Sequence, residues 1–266
     1  MERITSGKNP KIRHLLDLQQ KSAVRRAEGL FVVEGQRELK HCLEAGYKVD
    51  TVFCCPSLMG AYNLPDCRQF KVTEEVYEKI AYRGTTEGIV AEIRTKTHTL
   101  DELIAHTPTE KPRQAPLIVV LEGVEKPGNL GAILRSADAA NVDGVVVCDP
   151  KTDLYNPNLI RSSIGAIFTV PTVACTSEAC IDFLKRNGIR ILTAQLQDSN
   201  LYYDTDMRQP TAIVMGTEAT GLTDQWRKAA DAHIRIPMLG RLDSLNVSVS
   251  AAILMFEAVR QRNGLG

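Results

Sequence analysis

A stretch near the middle of the chain, Pro127-Gly128-Asn129-Leu130-Gly131-Ala132-Ile133-Leu134-Arg135, joins a turn, a capping residue and a cation. Pro-Gly forces a turn, and Asn129 is a good N-cap for a helix starting at Leu130. Ile133 and Leu134 can then face a core, which leaves Arg135 on another side, about a turn and a half in. A guanidinium there can hold a phosphate or ribose-phosphate; an ordinary capped helix with a surface arginine has the same pattern. A second loop, Met215-Gly216-Thr217-Glu218-Ala219-Thr220-Gly221-Leu222, has the glycine spacing of a phosphate-binding loop. Leu222 stands where that motif requires lysine, which disfavours ATP hydrolysis. What is left is a glycine-lined pocket with one carboxylate, Glu218, that admits a ligand close to the backbone and does not repel a cationic one. A plain strand-to-helix turn reads the same way. A third loop, running from Ile236-Pro237-Met238 to Ser244-Leu245-Asn246, puts Ser244 and Asn246 ahead of the apolar segment Val247–Val259, where they can cap a helix.

These loops need a scaffold that brings them together. Leu117–Leu121 is a continuous β-branched run of the kind buried on both faces of a parallel sheet. Further strands are expected at Val145–Cys148, Ile189–Ala194, Thr211–Met215 and Ile234–Pro237, with helices between them. The loops follow strands, and ligands of parallel sheets gather at the strands' carboxyl ends. Val247–Val259 is apolar almost all round, so it reads as a buried helix, in a core or a subunit interface. Upstream, Leu30–Val33, Val49–Cys55, Phe70–Val72 and Gly88–Ile93 read as strands, with helices over Gly35–Ala45 and Glu74–Ile80. In the former, Leu39, Cys42 and Leu43 share one face. This is a small α/β domain. Three prolines within residues 106–116 read as a linker. The expected layout is therefore a basic arm over 1–29, a small domain over 30–105, the linker, and a larger domain over 117–266.

The charge distribution is uneven although the net charge is zero. Residues 1–26 carry seven basic groups, Arg13, Arg25 and Arg26 among them, against two acidic ones, and the remainder is net −5. Such an arm can supply phosphate contacts to RNA; a solvated helix face has the same charge. The seven cysteines form no CxxC pair and read as free, partly buried thiols. The five histidines are scattered, so no metal site is expected. The N-terminus has no apolar run behind its charges and no segment is apolar enough for a membrane span, so a cytoplasmic protein is expected.

Taken together and in this order, the three loops resemble the three signature motifs of the SpoU/TrmH-type (SPOUT) RNA ribose methyltransferases. Asn156-Pro157 and Arg161-Ser162-Ser163-Ile164-Gly165-Ala166-Ile167-Phe168 are similar to a further family segment. Phe31-Val32-Val33-Glu34-Gly35 resembles the start of the family's ribosomal-protein-like RNA-binding domain. Glu122 stands where the family often has Asp. The resemblance implies an α/β fold: a trefoil-knotted, mostly parallel-sheet methyltransferase domain preceded by that small α/β domain. It also implies a homodimer and S-adenosyl-L-methionine as cofactor, lined by Thr193, Ala194, Gln195, Gly216, Gly221, Ile236, Met238 and Leu245. Arg135, Asn129, Glu218, Ser244 and Asn246 map onto the active-site positions, and Arg161 joins Arg13, Arg25 and Arg26 as an expected RNA contact.

The implied reaction sets the physical requirements. A sulfonium methyl is already activated, and in-line attack needs an aligned oxygen close by. A guanidinium stays protonated, so Arg135 is expected to bind phosphate and stabilise developing alkoxide charge rather than act as the base. Asn129 and Asn246 would orient the ribose and Arg135, and Glu218 would hold that network. By analogy ribosomal RNA is the expected substrate ahead of transfer RNA. A non-catalytic RNA-binding protein of the same fold would be expected to have a damaged first or third motif, and neither is damaged.

Overall fold

The structure is a computed structural model that describes residues 1–82, 87–105, 115–124, 126–217 and 219–264. Glu218 and most of the expected linker, residues 106–114, lie outside the described residues. The chain divides into two compact units, one of Met1–Lys96 with Asp153–Thr169, the other of Thr97–Thr152 with Val170–Gly266.

The first unit opens with β1 (Glu2–Ile4), α1 (Pro10–Gln20), α2 (Ser22–Glu28), β2 (Leu30–Glu34) and α3 (Gln36–Glu44). It continues with β3 (Val49–Cys54), α4 (Pro56–Met59), β4 (Arg68–Val72), α5 (Glu74–Ile80) and β5 (Ile89–Arg94). Then come α6 (Leu100–Ala105), β6 (Leu117–Glu122), α7 (Pro127–Ala139), β7 (Gly144–Cys148), α8 (Pro157–Ser163) and α9 (Ala166–Thr169). The chain ends with β8 (Thr172–Cys175), α10 (Ser177–Arg186), β9 (Arg190–Ala194), β10 (Asn200–Leu201), β11 (Thr211–Met215), α11 (Asp224–Ala229), β12 (Ala232–Arg235) and α12 (Val247–Arg262).

The sheet of the first unit has the order β1-β4-β3-β5-β2. Its β1, β4 and β3 are parallel, while β5 runs antiparallel to both β3 and β2. Residues 1–29 are not an arm. β1 is an edge strand of this sheet, and Ile12, Leu15 and Leu18 of α1 are fully buried with Val32, Phe53 and Tyr77. Arg25 is corrected with it: the side chain is buried, its Nε 2.6 Å from Asp153 Oδ2 and its Nη1 donating to the Leu18 carbonyl at 2.6 Å. A guanidinium so engaged is not available to a phosphate. Leu43, expected on the buried face of α3, is exposed, whereas Leu39 and Cys42 are buried. Segment 153–169 belongs to this unit and not to the larger domain in which the sequence places it. Tyr155 stacks on Phe31 at 4.3 Å between centroids, and Phe168 meets Tyr47 edge-on at 5.3 Å.

Among the described residues of the second unit, seven strands are all parallel, in the order β10-β12-β9-β11-β6-β7-β8. Ile118 and Val120 of β6 join Val146, Val214, Phe183 and Trp226 in one core, on the side covered by α10 and α11. On the other side α12 packs against α7, β6 and β11. The β-branched run 117–121 is thus buried on both faces. Helix α7 begins at Pro127 rather than Leu130, because proline's fixed φ suits the first helical position. Asn129 is therefore inside the first turn and not the N-cap. Helix α12 has two faces: Leu254, Met255 and Ala258 are buried, while Val249 and Phe256 are exposed.

Candidate active site

Both site cavities of the second unit open among the loops that follow β6, β7, β9, β11 and β12, at the carboxyl edge of the sheet. The loop after β11 is the tightest. A Cβ on Gly216 would sit 2.2 Å from the Gly221 carbonyl group, so only glycine lets the chain fold back there. The fold-back is held by Gly221 N–H donating to the Thr217 carbonyl at 3.0 Å, and Gly221 itself has φ +66°. Thr217 and Thr220 pair their hydroxyls at 2.8 Å.

Glu122, at the end of β6, anchors this loop from below. It is buried, and its carboxylate accepts from the Thr223 N–H at 2.8 Å and the Thr223 hydroxyl at 2.7 Å. Beside it, Ser177 donates to Asp149 at 2.6 Å and accepts from the Trp226 indole at 3.0 Å. The carboxylate position where the family often has Asp is thus a positioning residue for the glycine loop, a role the sequence reading did not assign.

A cavity of about 250 Å³ is lined by Lys126, Asn129, Lys151, Gly216, Thr217 and Val247, with four further residues. A second, of about 160 Å³, is lined by Ala194, Gln195, Ile236, Met238, Ser244 and Leu245, together with Asp243 and others. The two share one stretch of chain: Ser244 and Leu245 line the second and Val247 the first. Between them Asn246 caps α12, its Oδ1 accepting from Ser248 N–H at 2.9 Å, while its Nδ2 donates to Asn129 Oδ1 at 3.2 Å. The first and third loops, 117 positions apart, are therefore joined by one amide pair.

The expected site residues distribute over this frame unevenly. Ala194, Gln195, Ile236, Met238, Ser244 and Leu245 share the smaller cavity, and Asn129 and Gly216 the larger. Thr193 is fully buried in β9, its hydroxyl 2.6 Å from His233 Nδ1, and so braces the smaller cavity without lining it. Arg135 is exposed on α7 and lines neither cavity. In the first unit Arg13 and Arg26 are exposed. Arg161 lies 3.4 Å over the Tyr82 ring and 3.8 Å from Glu34. Lys126 and Lys151 also line the larger cavity, and the sequence analysis singles out neither; the signal is a lysine just beyond each of two adjacent strands, β6 and β7.

The smaller cavity has an unmet acceptor. Gln195 Oε1 is buried and has no hydrogen-bond partner, while its Nε2 donates to the Gln197 carbonyl at 2.9 Å. A buried acceptor left so costs about 1–3 kcal/mol, which a ligand donor would recover. Met238, Ile236 and Leu245 supply apolar contact around it. An amino-bearing aromatic ring such as adenine fits this donor–acceptor and apolar pattern.

Residues 116–256 match the SpoU rRNA Methylase family, and residues 9–91 match an MRM3-like substrate binding domain. The chain is 28% identical to the 23S rRNA (guanosine(2553)-2′-O)-methyltransferase RlmP of Bacillus subtilis, over 96% of this chain and 98% of that one. It is 40% identical to the 23S rRNA (guanosine-2′-O-)-methyltransferase RlmB of Shewanella oneidensis, over 72% and 76%. Among solved structures, the AdoMet-bound rRNA methyltransferase of Sinorhizobium meliloti superposes with a TM-score of 0.85 at 28% identity, covering 97% of each chain. With its parallel sheet, its three motif loops at one edge and this family match over more than half its length, the chain belongs to the SpoU rRNA methylase family.

Proposed function

We propose that this chain transfers a methyl group from S-adenosylmethionine to a ribose 2′-hydroxyl of large-subunit ribosomal RNA. The observation that carries the reading is the wall between the cavities: Ser244 to Val247 faces one cavity on each side, and Asn246 ties it to Asn129. A donor group in the smaller cavity and a ribose in the larger are thereby adjacent.

Gln195, Ile236, Met238 and Leu245 hold the cofactor, which supplies an activated sulfonium methyl. Asn129 and Asn246 fix the ribose face, since a hydrogen-bonded amide pair presents few orientations to a ligand. Lys126 and Lys151 receive the phosphates beside the reacting sugar, where a cationic rim adds affinity that falls with salt. Arg135 clamps a neighbouring phosphate and steadies the charge that grows on the 2′-oxygen as its proton leaves. The first unit recognises the RNA, with Arg13 and Arg26 exposed for phosphate contact.

The protein works as a homodimer. Val249, Ile253 and Phe256 fall at i, i+4 and i+7 on the outer side of α12, and Val249 and Phe256 are exposed in the single chain. Arg135, exposed on the neighbouring α7, is then close to the joint between subunits. The chain after β12 returns across the sheet to lay α12 on β6, β11 and α7, and the trefoil knot is assigned to these loops on the family resemblance. A ribosomal RNA substrate fits a cytoplasmic protein. No helix among the described residues is long and apolar enough to cross a membrane.

Labelled methyl transfer to RNA from cells lacking the protein, with mapping of 2′-O-methyl positions, tests the reading. One or a few labelled nucleotides in large-subunit RNA are expected, and Arg135→Ala should lower the rate by about 10²-fold or more with cofactor binding intact. Label confined to transfer RNA would overturn the substrate, and near-wild-type transfer by the Arg135 variant would overturn that residue's role.

A further inference from the structure

Three cysteines that methyl transfer does not use come together beside this site. The sulfurs of Cys148, Cys175 and Cys180 all lie within 4.8 Å of one another, the one His/Cys/Asp/Glu cluster of this kind among the described residues. Their convergence follows from the topology. Cys148 ends β7 and Cys175 ends β8, and the two are register partners, so their side chains leave the same face of the parallel pair. Helix α10 crosses that face and brings Cys180 down from its opening turn. Cys148 and Cys180 are fully buried, and Cys175 is half-buried, so the cluster opens to solvent at one corner.

We propose that Cys148, Cys175 and Cys180 form a three-thiolate site for a soft, thiophilic divalent metal ion. Sulfur-only ligation selects soft ions over magnesium or calcium. Metal–sulfur bonds of about 2.3 Å set neighbouring sulfurs of one tetrahedral ion roughly 3.8 Å apart, so the cluster needs to contract by about 1 Å at most. The nearest carboxylate in sequence, Asp149, already receives the Ser177 N–H and hydroxyl, which leaves the donor set at three sulfurs with water completing it at the open corner. Three thiolates and a divalent ion carry one net negative charge, which the amino end of the ten-residue α10 offsets. The seven cysteines are free and mostly buried, as the sequence reads; the grouping of these three is not visible there because its members come from two strands and a helix. A bound ion would tie the ends of β7 and β8 to the start of α10, next to the Ser177–Trp226 and Glu122–Thr223 contacts beneath the glycine loop.

The test uses the reduced, metal-stripped full chain titrated with cadmium(II), followed by the thiolate-to-metal charge-transfer band and by thermal melting. The band should saturate at one equivalent, with a rise in melting midpoint. Cys175→Ser should weaken cadmium binding by about 100-fold or more and abolish the rise; the half-buried position lets this variant fold. Cys54→Ser and Cys67→Ser, elsewhere in the chain, should leave both readouts unchanged. No band at one equivalent, or a band that survives Cys175→Ser, would overturn the proposal.

Discussion

Arg25 and Asp153 stand 128 positions apart and meet in a 2.6 Å ion pair with both side chains largely buried. The pair joins α2 to the segment that ends in α8 and α9. Removing the cation leaves a carboxylate without its partner, so Arg25→Ala should lower unfolding free energy by about 3–5 kcal/mol. Urea midpoints will read this, and a combined Arg25→Met, Asp153→Leu variant should recover much of the loss. Recovery would mark the pair as structural rather than RNA-binding.

Asn246 does two separable things. Asn246→Asp keeps the capping oxygen for Ser248 N–H and loses the donor to Asn129. Melting should change little, because Asp caps as well as Asn, while methyl transfer should fall about 10- to 100-fold, the equivalent of one oriented hydrogen bond. Asn246→Ala loses both and should also cost about 1 kcal/mol of stability. Equal activities for wild type and the Asp variant would detach the amide pair from catalysis.

Gln195 should behave in opposite senses with and without cofactor. Gln195→Leu removes the unpartnered buried oxygen, so the ligand-free protein should melt no lower than wild type. S-adenosylmethionine affinity, measured by calorimetry, should weaken about 10-fold through loss of one hydrogen bond. Unchanged affinity would place the adenine elsewhere.

His14 makes the first unit pH-sensitive. Burial lowers its pKa, but the contacts with Glu28 at 2.5 Å and Glu92 at 3.0 Å outweigh that, and the net shift is upward from 6.5. A raised cationic pKa gives stability that is fully present below the unfolded value and lost as pH rises through the folded one. The melting difference between wild type and His14→Gln should therefore be full below pH 6.5 and shrink as the pH rises through the raised folded-state value. A difference that is flat across this range would show that the imidazolium contributes nothing.

The second sheet is legible because its central strands are continuous apolar runs: Thr211–Met215 coincides with β11, and Leu117–Leu121 covers all of β6 but its last residue. Strands β1 and β10, of three and two residues, have too little side-chain pattern to read and exist through pairing with distant partners. The motif loops were legible as an ordered set, and the elements behind them bring Asn129 and Asn246 together. Arg25 was not legible, since a cation's burial depends on a carboxylate far along the chain. Nor was the start of α7, where two helix-opening signals, Pro127 and Asn129, compete and the proline prevails.

The clasp of Tyr155 and Phe168 on Phe31 and Tyr47 makes the amino-terminal unit a product of two stretches of gene rather than one. A fragment ending at residue 96 would uncover those two rings and strand Arg25 without its carboxylate, so it should aggregate when expressed alone. Any chimera that grafts this unit onto a relative must carry residues 153–169 along with it.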